Sequence, residues 1–397
     1  MRRKQLGVWL LVVLASMGGA LAWGQAKVPG VTDGEVVLGI TTPLSGPAAA
    51  WGTTGLGAEA WAKHVNEQGG VHGRKLKLVL KDDGYNPGRA VANVNEFKDS
   101  VFALVGLLGT AVLNANKDNI AEAKLPTIWP YGNPQVFAKQ PKEKLRGVFM
   151  VYPDYGDEGE FLVQQAVKLE GAKKIAVFFQ NDDYGKGGVE GVKRGVKGGV
   201  TLAGEISYEV TDREMGTHAL KVKESGADTL ILYCTATHGA NLIKEMAKVG
   251  YRPKIFASFP LGDRHVMFRL LGDLWEGVYY NVTGAVPGEP DADKAIEVLL
   301  KHEPKLKGRE SFALAGATAM MAAVEGLNRA GRNLTRENFV EAMESIKDWT
   351  PEKLTAPISW SPTRRHGLNP IRMMRAKKAA DVSFDTITGY QNFPSHF

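Results

Sequence analysis

Short apolar runs alternate with helix-period stretches along this chain, and the alternation is completed twice. Strands that each lead into a helix pair into a parallel sheet with helices on both faces. The first array starts with EVVLGI at 35–40. A helix is predicted over 53–67, where Leu56, Ala60, Trp61, His64 and Val65 share one face. KLKLVL at 75–80 follows. Then come Val91, Val94, Phe97 and Val101 at helical spacing, FALVG, a helix from near Thr110, and PTIWP. The pattern restarts after VYPDYGDEG at 151–159. KKIAVFF, GEISYEV, DTLILYC and PKIFASF are its strands, separated by YGKGGVEGVKRGVKGG, HALKVKESG and NLIKEMAKVG. A third stretch, 311–346, is helical but is not a complete array, so it is expected to return and cover the first. Two α/β lobes are therefore expected, since 397 residues exceed one ordinary domain.

Residues 1–26 read as a signal peptide. Arg2, Arg3 and Lys4 precede the apolar GVWLLVVLASMGGALA, and small residues allow cleavage after Ala22 or Ala26. That run is short for a membrane anchor, and no later segment is long and apolar enough to span a bilayer. The mature chain is expected in the periplasm. Its one cysteine, Cys234, excludes a disulfide framework and a CxxC metal motif, and leaves no lipid-anchor cysteine near the cleavage site. Losing the three basic leader residues lowers the net charge from +6 to +3. The remaining basic residues are scattered, as in Lys142, Lys144 and Arg146, so no nucleic-acid partner is expected.

In open α/β sheets, ligands sit beyond the carboxyl ends of the strands, where helix N-termini point. The loops to inspect are 41–52, 106–111, 130–134, 180–184, 234–238 and 258–264. The first, TTPLSGPAAAWG, places the large ring of Trp51 at a strand-to-helix turn. Catalytic signatures do not occur: there is no G-x-S-x-G elbow, H-E-x-x-H, Walker loop or ordered G-x-G-x-x-G. The eight histidines are dispersed, and His64 reads as a half-buried structural residue. Asp82 and Asp83 in KDDGYNPG read as a turn with solvated carboxylates rather than a metal site. No metal or cofactor is expected, and binding is favoured over turnover.

The stretch VLGITTPLSGPAAAWGTTGLGAEAWAKHVNEQGGVHGRKLKLVLKDDGYNPGRAV resembles the start of the branched-chain amino acid binding proteins of ABC transporters. The shared pattern is a strand, P-L-S-G, an aromatic followed by Gly, a helix ending in N-x-x-G-G-V-x-G, and a strand ending in D-D. FALVG with a following Thr, and FFQNDDYGKG, match later landmarks, and the resemblance covers about residues 30–390. It implies a two-lobed type I periplasmic binding protein fold, each lobe a mostly parallel sheet flanked by helices, with hinge crossovers between lobes. The expected partition is 27–152 with 284–357 for lobe one, and 153–283 with 358–397 for lobe two. By resemblance, ligand contacts fall at Trp51, Thr110, Tyr131, Asn133, Tyr184, Thr235, Pro260 and Phe312.

Departures from the family pattern bear on the ligand. Thr110 opens a helix, and its hydroxyl with the free N–H groups there suits a carboxylate. The family places an acid after the PKIF-type strand to hold an α-ammonium; here that position is Pro260. A buried ammonium without a charged partner is costly. Asp263, three residues on, can substitute, and Arg264 beside it can instead meet an anion. WPYGN brings Tyr131 and Asn133 where the family has small residues, and Thr235 replaces a usual aromatic. The expected ligand bears a carboxylate or amide on an apolar or aromatic body, either branched-chain amino acid-like or an acid lacking the ammonium. The resemblance implies an ABC importer's solute receptor that closes on its ligand, not an enzyme, with a membrane permease as partner. A free cleft and hinge suit a monomer. A same-fold sensor is the alternative, and a secreted hydrolase starting from Ser45 the remote one.

Overall fold

The computed structural model describes residues 28–378 and 384–397; the leader expected over 1–26 lies outside them. Strand pairing divides the chain between two sheets. β1 (Glu35–Thr42), β2 (Lys75–Asp82), β3 (Ala103–Val105), β4 (Thr127–Ile128) and β5 (Val148–Val151) form an all-parallel sheet in the order β2-β1-β3-β4-β5. Its intervening helices are α1 (Thr53–Glu67), α2 (Pro87–Phe97), α3 (Thr110–Glu122) and the short α4 (Gln135–Ala138). The second array repeats the plan. β6 (Lys174–Gln180), β7 (Thr201–Tyr208), β8 (Thr229–Tyr233), β9 (Lys254–Ala257) and β10 (Tyr279–Val282) pair in parallel in the order β7-β6-β8-β9-β10. α5 (Tyr155–Glu170), α6 (Asp183–Gly195), α7 (Gly216–Glu224), α8 (Ala236–Lys248) and α9 (Arg264–Leu271) accompany them. Central strands such as β3, β5 and β8 are buried throughout, as required where helices cover both faces, while the edge strand β2 is partly exposed.

Over the described residues the chain crosses between the sheets three times. It passes from β5 to α5 at Tyr152–Asp154, and returns after β10 into α10 (Pro290–His302), α11 (Glu310–Ala330) and α12 (Arg336–Glu344). α10 and α11 lie against α1, so the returning segment covers the first sheet. The third crossing corrects the expected partition, which put 358–397 in lobe two. β11 (His366–Leu368) pairs in parallel with β5, and Trp360 donates to the Met150 carbonyl at 3.3 Å, so residues 358–368 belong to the first lobe. The crossing falls at Asn369, after which β12 (Pro370–Ala376) runs antiparallel to β10. β13 (Phe384–Thr386) and β14 (Gln391–Asn392) both pair with β12.

The reversal of strand order beside β1 and β6 is what positions a site. At such a switch point the loops after two adjacent strands diverge and leave a crevice. In the first lobe the loops after β1 and β3 carry Trp51 and Thr110; in the second, those after β6 and β8 carry Tyr184 and Thr235.

Candidate functional site

The two crevices face each other. The lobes meet where Trp51 Nε1 donates to the Pro260 carbonyl at 3.0 Å, and where Asn114 on α3 donates to Asp183 on α6 at 2.9 Å. Between them lies a pocket enclosing about 380 Å³ of empty space. Trp51, Thr110, Tyr131, Tyr184, Thr235 and Pro260 all line it. Ala48, Tyr85, Leu108, Gly109, Tyr152, Tyr155 and Cys234 complete the wall. Among the described residues, none of those lining it is an aspartate, glutamate, lysine, arginine or histidine.

Each side chain is held by local structure. Trp51 packs on Phe312 with ring centroids 4.3 Å apart, and lies 5.6 Å from Phe259 and 6.0 Å from Tyr131. Thr110 is the first residue of α3, preceded by Gly109 at φ 112°, a backbone conformation that an L side chain resists. Its hydroxyl accepts the Asn133 N–H at 3.1 Å. Tyr131 donates to the Ala315 carbonyl at 2.9 Å, which ties the wall to α11. In the second lobe, Asp182 caps α6 through the N–H groups of Tyr184 and Gly185. The Tyr184 hydroxyl lies 2.7 Å from that of Ser258. Thr235 caps α8, and its hydroxyl lies 2.7 Å from His238 Nδ1. Tyr152 and Tyr155 share a hydrogen bond at 2.9 Å. Burial holds Tyr152, Tyr155 and Tyr184 well above the ordinary phenol range, so all three keep their O–H donors. The pocket thus offers aromatic faces, neutral hydroxyls and the N-termini of α3 and α8.

A family model described as periplasmic binding protein matches residues 35–381. The chain belongs to the periplasmic binding protein family. It is 26% identical over 359 residues to Leu/Ile/Val-binding protein homolog 3 of Brucella melitensis, covering 89% of this chain and 94% of that one. Its fold is similar to a fatty acid ABC transporter substrate-binding protein from Thermomonospora curvata (24% identity, TM-score 0.80, covering 93% of this chain and 95% of that one). It is also similar to a solute binding protein of an ABC transporter from R. palustris in complex with 4-hydroxybenzoate (20% identity, TM-score 0.78, covering 91% and 98%). At these identities the two structures share the fold. No helix among the described residues is long and apolar enough to cross a membrane.

Three residues expected as contacts stand outside the pocket of this binding protein. Phe312 lies behind Trp51 and lines a second cavity of about 650 Å³ of empty space beside the crossovers. Asp263 lines that same cavity. It caps α9 by accepting the Val266 N–H at 3.0 Å, and also accepts the Phe312 N–H at 3.4 Å. Both carboxylate oxygens are therefore committed to backbone donors. Asn133 lines the outer mouth of the cleft together with Thr110 and Asp183. The KDDG turn also differs from expectation. Asp82 holds the PLSG loop through the Leu44 and Ser45 N–H groups. Asp83 is buried, accepts from the Thr41 hydroxyl, and is pushed up by burial to about 6. Neither carboxylate is simply solvated.

Sequence reasoning missed Tyr85, Tyr152 and Tyr155, and also the acid beneath the cleft. Glu158, in the first turn of α5, accepts the Phe259 N–H at 2.7 Å and the Asn281 amide at 3.0 Å through Oε1. Burial pushes its carboxyl up to about 7. A carboxyl raised above its unfolded value keeps its proton longer in the native state, so stability falls as pH rises from about 4.5 to 7 and then levels. Glu158→Gln retains an oxygen for both donors and abolishes this titration. It is expected to stabilise the protein by about 1–3 kcal/mol more at pH 8 than at pH 5 relative to wild type. Urea unfolding of both chains at the two pH values checks this; equal differences refute it.

Proposed function

We propose that this chain is the extracytoplasmic solute receptor of an ABC importer. Its ligand is a small acid or amide with an apolar or aromatic body and no α-ammonium. One observation carries the ligand class: the cleft pocket combines two helix N-termini and tyrosine hydroxyls with no charged side chain in its wall. Helix N-termini favour a carboxylate. An ammonium buried there would lack a compensating charge. Two fold neighbours, the fatty acid ABC transporter substrate-binding protein and the solute binding protein in complex with 4-hydroxybenzoate, are in keeping with such a solute.

The chain is exported, loses its leader and acts as a monomer. Solute entering the open cleft meets Trp51, Thr110 and Tyr131 on one lobe and Tyr184 and Thr235 on the other. It favours closure only by its greater affinity for the closed state. The closed lobes then present a joint surface to a membrane permease, and the solute leaves chemically unchanged.

Thermal shifts of the mature protein test the ligand class. One panel holds leucine, isoleucine, valine and phenylalanine; the other holds benzoate, 4-hydroxybenzoate and medium-chain fatty acids. At about 100 times its dissociation constant a ligand adds about 2.7 kcal/mol. Stabilisation by the second panel is expected; stabilisation by the amino acids alone refutes the reading. Thr110→Val is expected to weaken binding of the stabilising solute about tenfold, the loss of roughly one charge-assisted hydrogen bond. Unchanged affinity by calorimetry would place the carboxylate elsewhere.

A further inference from the structure

α1 starts beside Trp51 at the cleft, but its last turn points to the far side of the first lobe. His64 is eleven residues beyond Thr53, about 16 Å along the helix axis. There α1 meets the end of α10. His64 and Glu67 from α1 and His302 from α10 bring three donor atoms within 4.8 Å of one another. The imidazole centroids of His64 and His302 are 5.7 Å apart. The His302 side chain is only 7% exposed, and its Nε2 points 3.6 Å from Glu67 Oε2. That nitrogen is buried with no hydrogen-bond partner. An orphaned buried imidazole nitrogen requires an explanation.

We propose that His64, Glu67 and His302 form a binding site for one divalent transition-metal ion of the zinc class. Two imidazoles and a carboxylate are a suitable donor set for such an ion, with open positions left for water. Both helices end here, and two carbonyl-rich C-termini favour a cation. Bonds of about 2.0–2.2 Å set tetrahedral donors about 3.4 Å apart, so a pair at the 4.8 Å limit closes up by roughly 1.4 Å. Glu67 is half exposed, so it has room to move. Two groups compete: Lys301 Nζ lies 2.7 Å from Glu67 Oε2, and the Gln68 amide nitrogen lies 3.0 Å from His64 Nε2, so both must swing aside when the ion binds. The ion would tie α10, the first helix after the chain returns from lobe two, to α1 of lobe one.

The test uses the untagged mature chain, stripped with a chelator and titrated with zinc chloride against a chromophoric competitor. One saturating zinc per chain is expected. His64→Ala and His302→Ala are each expected to weaken it at least about tenfold, the loss typical even for groups that only support a ligand. Lys301→Ala is expected to tighten it by freeing Glu67. Circular dichroism checks folding; if His302→Ala fails to fold, the half-buried His64 carries the same test. Absence of stoichiometric binding, or uptake only at millimolar zinc, overturns the proposal. So does binding that survives the His64→Ala/His302→Ala double variant. Loss in His396→Ala instead would overturn this site and move the ion to Asp154, Asp157 and His396, the second group of donors within 4.8 Å among the described residues.

Discussion

Gly316→Ala is expected to destabilise the protein by about 3 kcal/mol, although alanine is the better helix former. α1 and α11 cross with their backbones in contact. A Cβ on Gly316 would sit 1.8 Å from the Thr54 carbonyl oxygen, and one on Gly57 would sit 2.0 Å from that of Ala313. The obstacle in each case is a main-chain oxygen inside a helix, so no side chain can swing aside. The helices must part, and contacts along the whole crossing weaken. Helix propensity returns only about 1 kcal/mol. The damage reaches the cleft, because α11 carries Phe312, which backs Trp51, and the Ala315 carbonyl, which holds Tyr131. Solute affinity should fall together with the urea midpoint. Gly147→Ala is the control: its Cβ would meet nothing closer than 3.6 Å, and a shift within about 0.5 kcal/mol is expected. Equal midpoints for Gly316→Ala and wild type would mean that the two helices are not in backbone contact.

This crossing was beyond reach from sequence, since Gly57 and Gly316 are separated by most of the chain. The two arrays were legible because each strand is a short apolar run and each helix keeps a 3.6-residue stripe. The strand-end rule then picked the loops, and six of the expected contacts share one pocket. Tyr152 and Tyr155 escaped because they sit where the chain passes from one sheet to the other, a stretch that reads as a boundary. Glu158 escaped because an acid in a first helical turn normally reads as a partner of the helix dipole. Only the packing of α5 under the Phe259 loop buries it. The last crossing was misplaced for a related reason. HGLNPIRMMRA is buried along most of its length, and the Asn369–Pro370 break that marks the change of sheet reads equally as the turn of a strand pair. β13 and β14 are edge strands of three and two residues, too short and too exposed to show a period-two pattern.

Trp51→Ala is expected to weaken solute binding by about 2–4 kcal/mol, roughly 30- to 1,000-fold. The ring has three roles at once. Its face completes the apolar wall of the cleft, its back is fixed against Phe312, and its N–H reaches the Pro260 carbonyl on the opposite lobe. Truncation removes the wall, leaves Phe312 uncovered and cuts a tie between the lobes. Trp51→Phe separates these roles, because it keeps an aromatic face and loses only the N–H. One neutral hydrogen bond is worth about 1 kcal/mol, so the phenylalanine variant should lose about fivefold. The measurement is calorimetric titration with whichever solute stabilises the wild-type protein. A large loss for alanine and a small one for phenylalanine assign the residue to the ligand wall. Equal losses for both variants would assign its effect to lobe closure through the Pro260 carbonyl. An alanine variant that binds within twofold of wild type would reduce Trp51 to a cover for the start of α1.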